Sequence, residues 1–200
     1  LATALFSAYL ALYPALAGYA QGRINVPEWQ RLVLVIPATW VLLEWLRGLV
    51  FTGFPWLAIG YSQAASSPLA GYAPLLGVYG VSLVAAISAG LLAVLWRCRL
   101  NNSGRIAIAA LAVLWIGGAV LRGIAWTQPQ GKPFSVALVQ GNIAQHLKFD
   151  EDALVGTLET YRRMVLQSEA KLTVLPETAL PMLRHEVPKN LIEQLRDHAR

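Results

Sequence analysis

Residues 69–96 read LAGYAPLLGVYGVSLVAAISAGLLAVLW, an apolar run long enough for one helix to cross a membrane. A spanning helix needs about 20 mostly apolar residues, because its backbone polar groups must be satisfied within the segment. Three further runs are of similar length, at residues 1–20, 31–50 and 106–126. The sequence therefore predicts a membrane α-helical bundle with four spans within residues 1–127.

Composition also indicates a membrane protein. Of the 200 residues, 56% are hydrophobic and 14% are charged, and the mean hydropathy is +0.50. Soluble domains carry about 25% charged residues, so this chain is too apolar for that class. Its one cysteine, Cys98, excludes a disulfide within the chain. Because Leu1 begins inside an apolar run and the sequence stops within a helix-like stretch, we expect a piece truncated at both ends.

The net charge of +5 belongs to the apolar part of the chain. Residues 1–128 hold seven Lys and Arg against two acidic residues, whereas residues 129–200 hold nine against nine. Basic residues that flank apolar helices are typical of membrane topology. Since no basic stripe or aromatic stacking platform accompanies them, the sequence predicts no nucleic-acid partner.

The connections between the four apolar runs differ in charge. Those before the second run and after the third hold arginines, namely Arg23, Arg31, Arg97, Arg99 and Arg105. The middle connection, residues 51–68, holds no charged residue. The positive-inside rule therefore puts the arginine-bearing connections in the cytoplasm, and the uncharged loop with everything after Trp126 on the outer side. Arg47 and Arg122 lie near the outer ends and oppose this orientation, but they are outnumbered.

A second region, residues 128–200, has a different pattern. Residues 134–139 and 172–175 are short apolar runs, typical of strands buried on both faces. Between them Asp150 suits the N-cap of an amphipathic helix. The apolar residues of that helix recur at helical spacing, at Leu154, Leu158, Tyr161 and Val165. Strand, helix and strand predict a parallel βαβ unit, and Pro188 opens a last helical stretch.

A candidate general base follows the second predicted strand. Glu177 stands directly after Pro176, and Gln140, Gly141 and Asn142 follow the first strand. Ligands gather beyond the carboxyl ends of parallel strands, where the loops converge. A carboxylate held there among apolar neighbours would release its proton less readily than in water, as a general base requires. The alternative is a solvated loop glutamate without a catalytic role.

Several short motifs occur in a fixed order. They are EWLRG at 44–48, TGFPW at 52–56, GYSQ at 60–63, LVQGNI at 138–143, KFD at 148–150 and PETALP at 176–181. Together with the predicted topology, they make the chain resemble the apolipoprotein N-acyltransferases of the nitrilase, or carbon–nitrogen hydrolase, superfamily. The resemblance covers nearly the whole chain, and the chain covers less than half of a complete family member. It implies that residues 128–200 are the N-terminal part of a nitrilase-like α/β domain, an αββα sandwich.

The resemblance also implies a mechanism and its partners. Family members use a Glu-Lys-Cys triad, in which Glu177 matches the general base and the lysine and cysteine lie beyond Arg200. The cysteine takes a fatty acyl chain from a phospholipid as a thioester, and the α-amino group of a diacylglyceryl-cysteine on an apolipoprotein then receives it. The implied partners are the phospholipid donor, the diacylated apolipoprotein and the lipid bilayer. No cofactor or metal is implied, and Cys98, at the cytoplasmic end of the third span, is not the nucleophile.

Aromatic residues are the further candidates for substrate binding. Phe54 and Trp56 belong to the uncharged loop, where amphipathic rings suit a membrane interface, and the loop either shapes a lipid entry path or anchors the helices. Phe149 stands where family members often carry Trp, which implies a packing role. Glu44 and Arg47, one turn apart, are either a structural pair or a contact for lipid headgroups.

Two other functions are compatible with these residues. A membrane-tethered amidase of the nitrilase type would share Glu177 but use water as the acyl acceptor. A transporter or scaffold with a degenerate outer domain would have no catalytic cysteine or lysine. The three histidines, His146, His185 and His198, have no spacing that suits a metal site.

Overall fold

Long helices form where the apolar runs lie, because those runs lack charged residues over most of their length. A computed structural model describes residues 1–64, 66–98 and 101–199, so Arg99, used above for orientation, lies outside the described residues. Two units are distinguished, Leu1–Gln128 and Pro129–Arg200.

The first unit is helical. Its elements are α1 (Ala2–Arg23), α2 (Glu28–Gln30), a π-helical turn (Arg31–Val35), α3 (Ile36–Arg47), a 3₁₀ segment (Pro68–Tyr72), α4 (Ala73–Cys98) and α5 (Asn102–Arg122). Helix α4 is interrupted at Gly77, whose φ of 64° and ψ of −171° lie outside the helical region. The side chain of Asn101 caps α5 by accepting a hydrogen bond from the amide of Gly104 at 3.0 Å.

Two helices of the described residues are long and apolar enough to cross a membrane. They are Pro68–Cys98 and Asn102–Arg122, which correspond to the third and fourth predicted spans. The first predicted span lies in α1 except for Leu1, and the second corresponds to the π-helical turn and α3. The mostly helical character of this region and two of its candidate membrane helices agree with the sequence analysis.

Helix α5 packs closely against α4 and against the 3₁₀ segment that precedes it. A methyl group on Gly71 would meet the backbone of Gly118 and, at 2.7 Å, the amide nitrogen of Arg122, so only a glycine allows this approach. Further along, Leu91, Val94 and Ala107 form a buried cluster. Cys98 is half-buried and packs against that cluster as a small apolar side chain.

Charged side chains connect the ends of the helices within this unit. The guanidinium of Arg97, near the end of α4, forms an ion pair with the carboxylate of Glu28, at the start of α2. At the end of α3, Arg47 donates to the carbonyl oxygen of Trp56 at 2.8 Å. At the end of α5, Arg122 donates to the carbonyl oxygen of Ser66 at 2.7 Å. The two arginines that opposed the orientation rule are therefore both bound to loop carbonyls.

The second unit contains the predicted parallel βαβ arrangement. Strand β1 (Val136–Leu138) pairs in parallel with β2 (Leu172–Val174), and α6 (Glu151–Leu166) connects them. Asp150 caps α6 as predicted, its carboxylate accepting from the amide of Asp152 at 2.9 Å. The last helix is α7 (Lys189–His198), whose first turn follows Pro188.

The strands differ from the prediction in length and in burial. Both are three residues long, and neither is buried on both faces. Ala137 and Thr173 are half-buried, but the alternate positions are exposed on the other face, namely Val136, Leu138, Leu172 and Val174. The prediction was wrong because a two-stranded sheet consists of two edge strands, and the described residues cover only one of its faces.

Candidate functional site

The parallel pairing brings the candidate catalytic segments to the same edge of the sheet. Val136 lies opposite Leu172, and Leu138 lies opposite Val174. The pairing continues one step further, where the amide of Val139 donates to the carbonyl oxygen of Val174 at 2.9 Å. The segment that begins at Gln140 and the one that leads to Glu177 therefore leave the sheet side by side.

Both segments contain a left-handed backbone residue. Asn142 has φ of 50° and Thr178 has φ of 57°, a region that residues other than glycine seldom adopt. The amide nitrogen of the Gln140 side chain donates to the Asn142 side-chain oxygen at 2.9 Å. This hydrogen bond connects the first and third residues of the segment that follows β1. Such conformations cluster at functional sites, so this edge remains a good candidate site.

Gly141 is in contact with helix α6. A methyl group on Gly141 would lie 2.7 Å from the ring carbon Cζ of Tyr161 and 2.9 Å from its hydroxyl oxygen. Tyr161 is buried, and Val165 one turn later is buried as well. The glycine of the Gln-Gly-Asn motif therefore allows the backbone after β1 to lie against the apolar face of α6.

Glu177 itself is exposed in this structure. Its carbonyl oxygen accepts a hydrogen bond from the Thr178 hydroxyl at 2.6 Å, and the Ala179 amide donates to the Pro176 carbonyl at 3.2 Å. The apolar surroundings expected for its carboxylate are not supplied by the described residues. The reason is the same as for the strands, since the sheet beside it is covered on one face only.

The uncharged loop of the first unit contains a second cluster of left-handed residues. Phe51, Thr52 and Leu57 have φ values of 53°, 70° and 61°. The loop is closed at its start by the amide of Phe54, which donates to the carbonyl oxygen of Arg47 at 2.8 Å. These contacts hold a compact turn directly after α3.

Glu44 and Arg47 hold this loop from α3. Glu44 is buried, with 6% of its surface exposed, and its Oε1 accepts a hydrogen bond from the amide of Ile59 at 2.9 Å. Arg47 binds the Trp56 carbonyl, as described above. Among the ion pairs of the described residues none joins Glu44 to Arg47, so the expected mutual pair is replaced by two separate contacts with the loop.

Aromatic contacts fix part of the same loop. The ring of Phe54 packs edge-on against Phe6 of α1 with centroids 5.1 Å apart, and Phe51 packs against Tyr9 at 5.7 Å. The side chain of Trp56, in contrast, is 67% exposed. Phe54 is thus part of the helix packing, whereas Trp56 remains available to other molecules.

Comparison with known proteins finds relatives of this chain. Residues 1–91 match the family model described as the apolipoprotein N-acyltransferase N-terminal domain. Over 98% of its length the chain is 50% identical to an apolipoprotein N-acyltransferase of Chromobacterium violaceum, of which it covers 38%. It is 43% identical over its whole length to the protein of that name from Nitrosomonas europaea, covering 40%, and 40% identical over 98% to that of Neisseria meningitidis serogroup B, covering 39%.

The chain is similar over nearly its whole length to a part of proteins named apolipoprotein N-acyltransferase. It spans about two fifths of the length of the relatives it matches. The alignment extends beyond the helical unit, because 98–100% of the chain is covered by these relatives. The family resemblance stated from the sequence is therefore confirmed.

The predicted site residues occupy three places. Glu177 lies at the sheet edge of the second unit, and Phe54 and Trp56 lie in the loop of the first. Phe149 follows the 3₁₀ turn Gln145–Leu147 and is 71% exposed. Within the described part of the chain, no group of three or more His, Cys, Asp or Glu side chains could hold a metal ion.

Sequence reasoning missed two polar contacts, one between α4 and the loop and one within α1. Ser82 of α4 is fully buried, and its hydroxyl accepts a hydrogen bond from the amide of Gly60 at 2.8 Å. Tyr13 of α1 shares a short hydrogen bond with Tyr9, with 2.6 Å between the two hydroxyl oxygens. A polar residue inside an apolar run is the signal that could have identified both, because such residues require a partner.

Proposed function

We propose that the protein containing this chain transfers a fatty acyl chain from a phospholipid to the N-terminal α-amino group of a diacylglyceryl-cysteine on an apolipoprotein. The observation that carries this proposal is 40–50% identity, over nearly the whole chain, to proteins named apolipoprotein N-acyltransferase. The order of motifs in both units agrees with it. An acyltransferase that acts on lipid-anchored substrates also requires the apolar helices that form the first unit.

The reaction proceeds in two halves through a covalent intermediate. In the first, Glu177 accepts the proton of a cysteine thiol beyond Arg200, and the thiolate sulfur attacks the ester carbonyl carbon of the phospholipid. The bond to the glycerol oxygen breaks, and lysophospholipid leaves with that proton. In the second, the acceptor amine attacks the thioester carbonyl, the carbon–sulfur bond breaks, and Glu177 passes the amine proton to the sulfur. A lysine, also beyond Arg200, completes the triad.

The membrane topology of the proposal has four spans, at residues 1–20, 31–50, 69–96 and 106–126. Its orientation has the first and third connections in the cytoplasm of a bacterial cell and the catalytic domain on the periplasmic side of the inner membrane. Two contacts support it. The Glu28–Arg97 ion pair connects the first and third connections, as expected of segments on the same side. Loop residue Ser66 and the end of α5 at Arg122 also share a contact.

Residues 128–200 are proposed as the N-terminal part of a nitrilase-like catalytic domain with αββα layers. The exposed apolar face of the two-stranded sheet supports this, because Val136, Leu138, Leu172 and Val174 need a covering layer. Relatives about two and a half times as long as this chain have the residues to supply one. The same layer would surround Glu177 with the apolar environment that a general base requires.

Loop aromatics are proposed to guide lipid to the reaction. Trp56 is exposed beside the end of α3, and an amphipathic ring at that position suits the membrane interface. Phe54 holds the loop against α1 and so positions Trp56 rather than contacting lipid itself. Phe149 is exposed close to the N-terminus of α6 and is proposed to contact the acyl chain.

The test uses the full-length protein in detergent with a phospholipid and a synthetic diacylated lipopeptide. Mass spectrometry is expected to show a triacylated peptide and one lysophospholipid per transfer. Glu177→Gln should abolish the thioester intermediate, because an amide cannot accept the thiol proton. Glu169→Gln, at an exposed position of the same unit, is the matched control and should retain activity. Release of free fatty acid without N-acylated peptide would instead indicate the amidase, and a normal thioester yield in Glu177→Gln would exclude the assigned base.

A further inference from the structure

Two arginines hold the uncharged loop, residues 51–68, at two of its carbonyl oxygens. Arg47 Nη2 donates to the carbonyl oxygen of Trp56 at 2.8 Å, and Arg122 Nη1 donates to that of Ser66 at 2.7 Å. Both arginines lie where the positive-inside rule disfavours basic residues, so their presence needs a local reason. A hydrogen bond from a charged donor is stronger than one between neutral groups, which suits these side chains to fixing a loop.

The Arg47 contact acts on a strained part of the loop. The carbonyl oxygen that it binds belongs to the peptide group between Trp56 and Leu57, and Leu57 has φ of 61°. The left-handed region is unfavourable for a residue with a Cβ, and such a conformation persists only where its surroundings impose it. Rotation of this peptide group would return Leu57 to a negative φ, but it would also turn the carbonyl oxygen away from Arg47.

Glu44 fixes the loop on the other side of the strained residue. Its Oε1 accepts a hydrogen bond from the Ile59 amide at 2.9 Å. Ala58, between Leu57 and Ile59, is buried. Glu44 and Arg47 lie one turn apart on α3, so a single turn of this helix binds the loop before and after Leu57. The left-handed residue is therefore held from both sides.

The side chains at this fixed peptide group are exposed. Trp56 is 67% exposed and Leu57 is 86% exposed, whereas Phe54 packs against Phe6 of α1. A rigid backbone under an exposed ring lowers the entropy cost of binding, because the ring is already in place. We propose that Arg47 is a positioning residue: by binding the Trp56 carbonyl it keeps Leu57 left-handed and so presents the Trp56 indole to the acyl chain of a lipid substrate.

This assignment rests on the proposed function, in which Trp56 guides lipid, and it adds the residue through which α3 controls the indole. Arg47 acts through Trp56, so its loss should weaken lipid binding equally in the ground state and the transition state. The KM for lipid should then rise while kcat stays the same. Damage to the fold of the whole helical unit would instead lower the amount of active protein, and the apparent kcat would fall with it.

The kinetic experiment measures N-acylation by the full-length protein in detergent micelles at varied mole fractions of phospholipid. Arg47→Gln is expected to raise the KM for phospholipid by about tenfold, the effect of one charged hydrogen bond, with kcat unchanged. Arg47→Lys keeps a charged donor and should recover most of this loss. Trp56→Ala should raise the KM to a similar extent, and adding Arg47→Gln to it should have no further effect. Additive effects of the two substitutions, or a lower kcat at unchanged KM, would overturn the positioning role.

A matched control and a rescue variant make the test specific. Arg122→Gln removes the same kind of contact from the other end of the loop and should leave the KM unchanged. Glycine adopts the left-handed region without a steric cost, so Leu57→Gly should lower the KM of the Arg47→Gln protein towards that of the wild type. A double variant no better than Arg47→Gln alone would refute the link to Leu57.

A second measurement does not depend on acyl transfer. A phospholipid with a diazirine in its acyl chain labels the residues that it contacts when the full-length protein is illuminated, and mass spectrometry of peptides locates the label. Trp56 should be labelled in the wild type and in Arg122→Gln, and several-fold less in Arg47→Gln. Equal labelling in Arg47→Gln and the wild type would overturn the proposal even if acyl transfer is normal. Absence of acyl transfer with the expected labelling would count against the proposed function alone.

Discussion

The carboxylate of Glu44 accepts a hydrogen bond from the backbone amide of Ile59, 15 residues later, at 2.9 Å. This contact connects the buried face of α3 to the middle of the uncharged loop. The next amide, that of Gly60, donates to Ser82 of α4 at 2.8 Å. Two consecutive loop amides are thus held by side chains of two different helices, which explains how a loop without charges keeps a defined shape.

Removing the Glu44 carboxylate should release the loop. Glu44→Ala leaves the Ile59 amide without an acceptor, and the expected loss is about 1–3 kcal/mol of local stability. Glu44→Gln keeps an oxygen at the same position and should retain most of the contact. Hydrogen exchange of the Ile59 amide in the full-length protein measures this directly. Equal protection in the alanine and glutamine variants would contradict the role assigned to the hydrogen bond.

Gly141 should tolerate no larger residue. Gly141→Ala brings a methyl group to 2.7 Å from Tyr161, and overpacking a buried contact costs roughly 1–3 kcal/mol. Thermal unfolding and hydrogen exchange at Val139 should both report the loss. Gly156→Ala is the matched control, since no atom lies within 4 Å of its added methyl group and alanine favours the interior of α6. That variant should be slightly stabilised, and a loss as large as that of Gly141→Ala would refute the packing argument.

The ion pair between Glu159 and Arg162 should make a pH-dependent contribution to the stability of the second unit. Two hydrogen bonds from the Arg162 guanidinium, at 2.7 and 3.0 Å, lower the pKa of the Glu159 carboxyl below its usual value. A group with a lowered pKa in the folded state stabilises at pH above its unfolded pKa, and that contribution disappears as the pH falls through the folded pKa. Because the pair is exposed, the effect should be small and weaker in high salt.

The measurement is an NMR titration of the Glu159 carboxyl carbon in the full-length protein. Its midpoint should lie below that of an unpaired glutamate, and Arg162→Gln should return it to the ordinary value. A midpoint that Arg162→Gln leaves unchanged would contradict the ion pair.

Local patterns predicted much of this architecture. Helix α6 begins at its expected N-cap, Asp150, and buries Tyr161 and Val165 at the predicted spacing. The parallel pairing of β1 with β2 also followed from strand, helix and strand in succession. The spacing of apolar residues and a capping side chain act within one segment, so they can be read without knowledge of its neighbours.

The contacts between segments could not be predicted from these local patterns. Glu44 and Arg47, one turn apart on α3, suggested a mutual pair, and the structure gives each of them a partner in the loop instead. Ser82 and Tyr161 gained their roles from Gly60 and Gly141, which are distant in sequence.

The amino-acid sequence by itself determined the family, the helical first region, the βαβ order and the position of Glu177 after a strand. Only the tertiary structure decided that the sheet face beside Glu177 is exposed in this chain and that one buried carboxylate oxygen of Glu44 has no hydrogen-bond partner among the described residues. The physical reason is that burial and hydrogen-bond partners depend on which segments meet in space. Residue spacing within a single segment does not specify which other segments it contacts.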